Sequence, residues 1–222
     1  MPLTDYIIAN GHNRVGLWRI SEDEAYFLRK LPLSESDKTE LAAMKGVRRL
    51  EWLAARYLVQ VMTGWAYRLV KDAFGKPHLS TSDYEISISH SAEFTAAIIS
   101  KRPIGIDIQY ITPKLEQIAW RVMNETKLKT LNPEHKLEHL HVYWGAKESL
   151  YKAYGKGDLD FRKNILLKPF LYSNTEGVFE GVIQKEDYKA EFDIYYKKIE
   201  NYILVYAVQK ESTQQPPVLG LR

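Results

Sequence analysis

Trp52-Leu53-Ala54-Ala55-Arg56-Tyr57-Leu58 and Trp144-Gly145-Ala146-Lys147-Glu148-Ser149-Leu150 stand 92 residues apart and share an outline of aromatic, small and apolar positions. Each lies in a run with apolar residues at helical spacing, ends near a glycine and is followed by short strand-like segments. The overlay predicts an internal duplication. The fold class expected is therefore α+β: two similar α/β halves related by a pseudo-twofold, each with helices packed on a mainly antiparallel sheet. The halves divide into 1–102 and 103–222, with 211–222 as a flexible tail. Two such halves meet in a cleft, and clefts between domains are favoured ligand sites.

Working outward from the two tryptophan segments, Ser34 is placed to cap a helix over 34–46, and a second helix runs over 47–64 to a stop at Gly64. A short strand precedes them, and period-2 runs over 67–72, 84–89, 94–100 and 104–109 read as strands. The second half repeats this order, with a helical stretch over 124–155 and strand-like runs over 165–173, 177–184, 190–198 and 202–210.

Composition narrows the function classes. The 222 residues are 45% hydrophobic and 27% charged with a net charge of +3, an ordinary globular balance that gives no argument for nucleic acid. The chain has no cysteine, which excludes disulfides, thiolate zinc sites and a thiol nucleophile and suits a reducing compartment. No stretch approaches the roughly 20 apolar residues that span a bilayer, and the first residues lack a basic segment followed by an apolar run. A cytoplasmic protein without a membrane partner is expected.

Several residues carry candidate chemistry. In Gly105-Ile106-Asp107-Ile108-Gln109 the period-2 alternation sends both isoleucines to one face and Asp107 and Gln109 to the other. Glu148 and Lys152, four apart, share a helix face. Asp107 and Glu148 together offer oxygen ligands for a hard cation such as Mg²⁺, with Lys152 turned to a phosphate; equally, Asp107 solvates a strand end and Glu148 and Lys152 form a surface pair. Ser87-Ile88-Ser89-His90-Ser91 gathers three hydroxyls and an imidazole that either grip phosphate oxygens or form a polar turn. Lys45, Arg48, Arg49 and Arg56 make the first-half helix basic, which is a solvated face or, if turned into the cleft, a phosphate contact. Gly75-Lys76-Pro77 lacks the spacing of a Walker loop, and His135, Leu137, Glu138 and His139 do not form a zincin motif.

Taken in order, Gly75-Lys76-Pro77, Ser87 to Ser91, Gly105 to Gln109 and Trp144 to Lys152 resemble the motifs of the 4′-phosphopantetheinyl transferase superfamily, in its longer, pseudo-dimeric, surfactin-synthetase-activating branch. The last of them matches the family's W-x-x-K-E-x-x-x-K signature. The resemblance implies an enzyme, a holo-[acyl-carrier-protein] synthase that moves 4′-phosphopantetheine from coenzyme A to a serine of an apo acyl or peptidyl carrier protein and releases adenosine 3′,5′-bisphosphate. It implies Mg²⁺ on Asp107 and Glu148, with Glu148 also the general base and Asp107, Glu148 and Lys152 the catalytic set. Cofactor contacts fall on His90 and Lys152 at the pyrophosphate and Lys76 at the adenine, with Ser89, Arg49 and Arg56 as further contacts. Gln109 stands where many members carry a second acidic residue of the strand motif, so the site has two carboxylates and an amide as its third metal ligand, and weaker metal binding is expected. A catalytically degenerate coenzyme A or carrier-protein binding module, and a metal-dependent phosphodiesterase, are the competing readings. A monomer is expected, because the second half supplies what a partner subunit would provide.

Overall fold

The computed structural model describes residues 3–9, 13–121, 123 and 128–211. Two antiparallel sheets divide the chain. Strands β1 (Leu3–Ala9), β2 (Asn13–Arg19), β3 (Leu69–Lys71), β4 (Pro77–Leu79), β5 (Glu85–Ser91) and β6 (Phe94–Ser100) form a six-stranded sheet in the order β1-β2-β6-β5-β4-β3. Strands β7 (Ile104–Tyr110), β8 (Ile165–Leu167), β9 (Glu176–Lys185), β10 (Tyr188–Ile199) and β11 (Tyr202–Gln209) form a five-stranded sheet in the order β7-β11-β10-β9-β8.

With β1 set aside, the two orders are the same, β2-β6-β5-β4-β3 matching β7-β11-β10-β9-β8 strand for strand. The long helix follows the first of these strands in both halves. α1 (Glu24–Lys30), α2 (Glu35–Ala42) and α3 (Val47–Thr63) lie between β2 and β3, and α4 (Lys114–Ile118), a 3₁₀ turn (Ala119–Arg121) and α5 (Lys136–Tyr154) between β7 and β8. Trp52 of α3 and Trp144 of α5 therefore occupy corresponding helices, and the fold consists of two similar α+β halves.

Local signals account for the helix ends. Ser34 and Asp37 form a capping box at α2, and Gly64 and Gly155, both with positive φ, terminate α3 and α5. α5 starts only after Asn132 and Pro133, so the helix expected over 124–155 is shorter, and 124–127 lies outside the described residues. The strand expected over 165–173 ends at Leu167, two residues before Pro169, which has no N–H to continue the ladder. All of the expected tail except Glu211 is outside the described residues.

Three apolar layers hold the stack together. One joins α1–α3 to the first sheet through residues such as Phe27, Leu53, Leu58, Ala97 and Ile99. The middle one lies between the sheets, where Leu17, Phe94 and Ile98 meet Ile104, Ile106, Ile108, Leu204 and Val208. The third joins the second sheet to α5 through Leu140, Ala146, Leu150, Ile194 and Val205. Alternate residues of β6 serve the first two layers, Ala97 and Ile99 pointing one way and Ala96 and Ile98 the other, which is why FTAAIIS is apolar throughout. Among the described residues no helix is long and apolar enough to cross a membrane.

Candidate active site

The site is built where β7 crosses α5. Ile106 and Ile108 point into the layer between the sheets, so Gly105, Asp107 and Gln109 face the helix. Gly105 makes that approach possible: a Cβ there would lie 1.8 Å from the carbonyl oxygen of Ser149. Gly145 does the same one strand away, where a Cβ would meet Val205 Cγ2 at 2.7 Å and lie 3.8 Å from Asp107 Oδ2. Gly145, Glu148 and Lys152 fall on one helix face at i, i+3 and i+7, bringing a carboxylate and an ammonium to the strand.

Asp107 is 6% exposed. Its Oδ1 accepts from Ser89 Oγ at 2.9 Å and from Lys152 Nζ at 2.7 Å, and its Oδ2 accepts from Gln109 Nε2. The Lys152 ammonium also donates to the Ile106 carbonyl at 2.8 Å and to Ser89 Oγ at 3.0 Å, so its three donors are satisfied by protein oxygens. The i, i+4 pair of Glu148 with Lys152 does not form, because the strand presents a better-placed partner in Asp107. Glu148 is half-buried and its carboxylate makes no hydrogen bond or ion pair among the described residues. Burial, and then the negative charge of Asp107, push its carboxyl above the ordinary carboxylate range, with Lys152 opposing only in part. Among the described residues no three His, Asp or Glu side chains gather as a metal site. The set present is Asp107 and Glu148 with the Gln109 amide, oxygen donors of the type that suits hard cations.

The serines of β5 serve the seam between the halves. β5 pairs with β4 only at Glu85, and β7 pairs only with β11, so two free strand edges run side by side. Ser87 Oγ accepts from the Ile106 N–H at 3.1 Å and Ser91 Oγ from the Tyr110 N–H at 3.0 Å, satisfying edge donors that would otherwise lie unpaired. Ser89 lies between them, bonded to Asp107 and Lys152. Two of the three hydroxyls offered as phosphate grips are thus committed to joining the halves, and the third belongs to the carboxylate site.

Two cavities flank this seam and share Pro77 and Ile88 as a common wall. The first, of about 280 Å³, is lined by Phe74, Lys76, Tyr151 and Lys152. The Lys76 stem packs against Gly155, and its ammonium pairs with Glu85 at 3.0 Å beside the carbonyl end of α5. The second, of about 340 Å³, is lined by Arg48, Trp52, Arg56, Lys71 and His90. His90 is half-exposed there, 3.5 Å from Glu51. Arg49 is a correction: its guanidinium points away from both cavities, donates to the Leu41 carbonyl at 2.7 Å and pairs with Glu24 at 3.1 Å. One residue along a helix turns a side chain by about 100°, so Arg48, and not Arg49, reaches the cavity. Arg56 lines the cavity but is 9% exposed and engaged by Asp37 and Glu40, each at 3.1 Å.

The sequence motifs include Lys147 and Tyr151 without giving either a role of its own, and Phe74 lies outside them. Lys147 is fully buried and donates to the Ile165 carbonyl at 2.8 Å and to the Phe161 carbonyl, holding the segment after α5 against the helix. Phe161 in turn stacks on Tyr151 at 5.4 Å. A lysine one position from Glu148 necessarily faces elsewhere than the site, and that helical spacing was the available signal for a core role.

A carboxylate pair on the seam of a duplicated α+β fold, flanked by cavities with cationic walls, defines a class of proteins whose site both halves build. Residues 103–207 match the family model of the 4′-phosphopantetheinyl transferase superfamily. The chain is 33% identical over 88 residues to a 4′-phosphopantetheinyl transferase of Bacillus subtilis, an alignment covering 38% of this chain and 39% of that protein. It is 33% identical over 112 residues to the 4′-phosphopantetheinyl transferase gsp of Aneurinibacillus migulanus, covering 48% and 47% respectively. With the 4′-phosphopantetheinyl transferase AcpT of Salmonella typhi it shares 28% identity over 120 residues, 51% of this chain and 62% of that one. The chain thus spans under half the length of the first two of these relatives.

Proposed function

We propose that this chain is a 4′-phosphopantetheinyl transferase acting on coenzyme A and an apo acyl or peptidyl carrier protein, with Mg²⁺ held by Asp107, Glu148 and the Gln109 amide oxygen. The observation that carries the reading is Glu148: a half-buried carboxylate with no hydrogen bond or ion pair among the described residues, raised by burial and by Asp107, one helical turn from Lys152, which with Lys76 lines the first cavity. An unpaired carboxylate there is placed to accept a proton from an incoming hydroxyl. The family match covers the two carboxylates and Lys152.

In this reading Phe74 and Lys76 receive the adenine of coenzyme A, the ribose 3′-phosphate reaches past Pro77 and Ile88 toward Arg48, and the pyrophosphate lies between His90 and Lys152. Glu148 takes the proton of the carrier serine as its oxygen attacks the phosphorus that bears pantetheine; the bond from that phosphorus to the bridging oxygen breaks, and adenosine 3′,5′-bisphosphate leaves. Asp107, Glu148 and Gln109 would hold a divalent cation there, which would supply charge neutralisation at the pyrophosphate. Ser89 and Gln109 hold the Asp107 carboxylate in place through its two oxygens. Both halves come from one chain, which supports a monomer, and the absence of cysteine suits the cytoplasm.

Intact-mass spectrometry of an apo carrier protein incubated with the chain, coenzyme A and Mg²⁺ tests the proposal. A gain of about 340 Da, the mass of the phosphopantetheine moiety, suppressed by chelator and by Glu148→Gln, is the expected result. Coenzyme A binding without any mass gain on several unrelated carriers would instead support a degenerate binding module, the reading that Gln109 favours.

A further inference from the structure

The second cavity presents four cationic or imidazole side chains, and the protein has already supplied counter-anions for three of them. Arg56 Nε donates to Asp37 Oδ1 at 3.1 Å, its Nη2 lies 3.1 Å from Glu40, and its guanidinium stacks on Trp52 with a centroid distance of 3.3 Å. Lys71 donates to the other oxygen of Glu40. His90 lies 3.5 Å from Glu51. Arg48 is exposed and makes no ion pair or hydrogen bond among the described residues. Leaving the imidazole aside, Arg48, Arg56 and Lys71 are balanced charge for charge by Asp37, Glu40 and Glu51.

Asp37 and Glu40 both come from α2, a helix that buries only Leu41 and is otherwise tethered to α3 and β3 by these ion pairs. Burial works to raise both carboxyls, but bonds from Ser34 to Asp37 and from Lys71 to Glu40, with the charge of Arg56, hold them below the usual range. Both are therefore anionic, and fixed, at neutral pH. A phosphate entering here either displaces Glu40 from two cations or rests on Arg48, and each further negative charge on the ligand meets a cavity with little net field.

Resting on the coenzyme A reading above, we propose that Asp37 and Glu40 are specificity-determining residues: internal counter-anions that hold the second cavity near neutrality, so that the chain binds coenzyme A and dephospho-coenzyme A with similar affinity. The discrimination that a surplus of cations would give to the ribose 3′-phosphate is cancelled inside the protein.

The test is a set of binding isotherms, read by Trp52 fluorescence or calorimetry, for both coenzyme A forms on the wild-type chain, Glu40→Gln and Glu35→Gln. Gln at position 40 keeps an acceptor for Arg56 and leaves the capping box of α2 intact. Glu35 is exposed on the same helix and pairs only with Lys38, so its variant reports the effect of net charge alone. The expected wild-type ratio is under about tenfold, and Glu40→Gln tightens coenzyme A by about tenfold, the scale of one charge-assisted contact, with the dephospho form and Glu35→Gln shifting less than about threefold. A wild-type preference for coenzyme A above about 100-fold, or equal effects of the two variants, overturns the proposal. Absence of binding by either coenzyme A form overturns the coenzyme A reading instead. Inorganic pyrophosphate then decides the neutral cavity, which falls unless Glu40→Gln alone tightens it.

Discussion

Lys152→Met and Glu148→Gln should move the stability of the metal-free protein in opposite directions. The methionine keeps the stem of Lys152 and removes the ammonium that bonds Asp107 at 2.7 Å, leaving a carboxylate that is 6% exposed with no cation against it. Breaking a fully buried pair in this way costs about 3–5 kcal/mol. Here Lys152 is 28% exposed at its side chain, and Ser89 and Gln109 still donate to Asp107, so the loss is nearer to about 2 kcal/mol. For a chain of this size that is a fall in Tm of about 4–8 °C. Glu148 is the reverse case. Its folded carboxyl lies above its unfolded value, so its charge costs stability at neutral pH, and Glu148→Gln removes a charge that burial and Asp107 both disfavour. A gain of under about 1 kcal/mol follows, the scale of a partly exposed charge pair. Scanning calorimetry in chelator at neutral pH, with reversibility checked, measures both. A Lys152→Met protein within about 0.5 kcal/mol of wild type would refute the assignment of Lys152 as the counter-ion of Asp107, and a Glu148→Gln protein less stable than wild type would refute the cost assigned to the Glu148 charge.

Four further outcomes follow from the same geometry. Gly105→Ala sets a Cβ 1.8 Å from the Ser149 carbonyl oxygen, a backbone clash that no rotamer relieves, so urea denaturation should show a loss of at least about 3 kcal/mol or failure to fold. His139, buried with Nδ1 accepting the Asn132 N–H, is pushed down by burial to about 4, so the folded state resists protonation. Stability should be full above about pH 6.5 and decline as pH falls toward 4, by up to about 3 kcal/mol; an imidazole titrating near 6.5 by NMR contradicts this. Gln109→Glu adds a third carboxylate at the site, and a Mn²⁺ titration should tighten by about tenfold; no tightening would remove Gln109 from the metal site. Arg49→Ala should lower Tm with nucleotide affinity unchanged, and Arg48→Ala should do the opposite, as thermal scans and isotherms on the two variants will report.

The sequence carried most of the architecture because its periodicities are two-sided statements. IGIDIQ can only place Asp107 and Gln109 opposite Ile106 and Ile108, and the tryptophan helices could only be equivalent if the strands around them were, as the matching sheet orders bear out. It failed where a side chain had a choice of partners across the fold. The i, i+4 rule offered Glu148 to Lys152, but the rule knows only the helix, and the strand at its face supplied Asp107, Ser89 and a carbonyl. The hydroxyls of Ser87 and Ser91 read either as a phosphate grip or as a polar turn, and neither shows that β5 and β7 leave facing edges in need of acceptors. Arg49 turns to Leu41 and Glu24 while its neighbour Arg48 lines the cavity, a difference of one residue in sequence and a quarter turn or more on a helix.

The division of the site between the halves has a consequence for how it can vary. Asp107, Glu148 and Lys152 lie on β7 and α5, inside the segment matched by the family model, and their geometry depends on two glycine contacts between strand and helix that tolerate no added atom. The cavity of Arg48, Arg56, Lys71 and His90 lies in the first half, outside that segment, and is governed by ion pairs that can be exchanged without disturbing a core. On the proposed function, chemistry and recognition are thereby held by separate sets of constraints, which meet at Pro77, Ile88 and the serine seam. Substitutions at 37, 40, 48 and 56 should then move KM for the coenzyme A substrate with kcat retained, while those at 107 and 148 remove kcat. A Glu40→Gln enzyme that lost kcat with KM unchanged would show that the ion-pair cluster positions the reacting groups and that the separation does not hold.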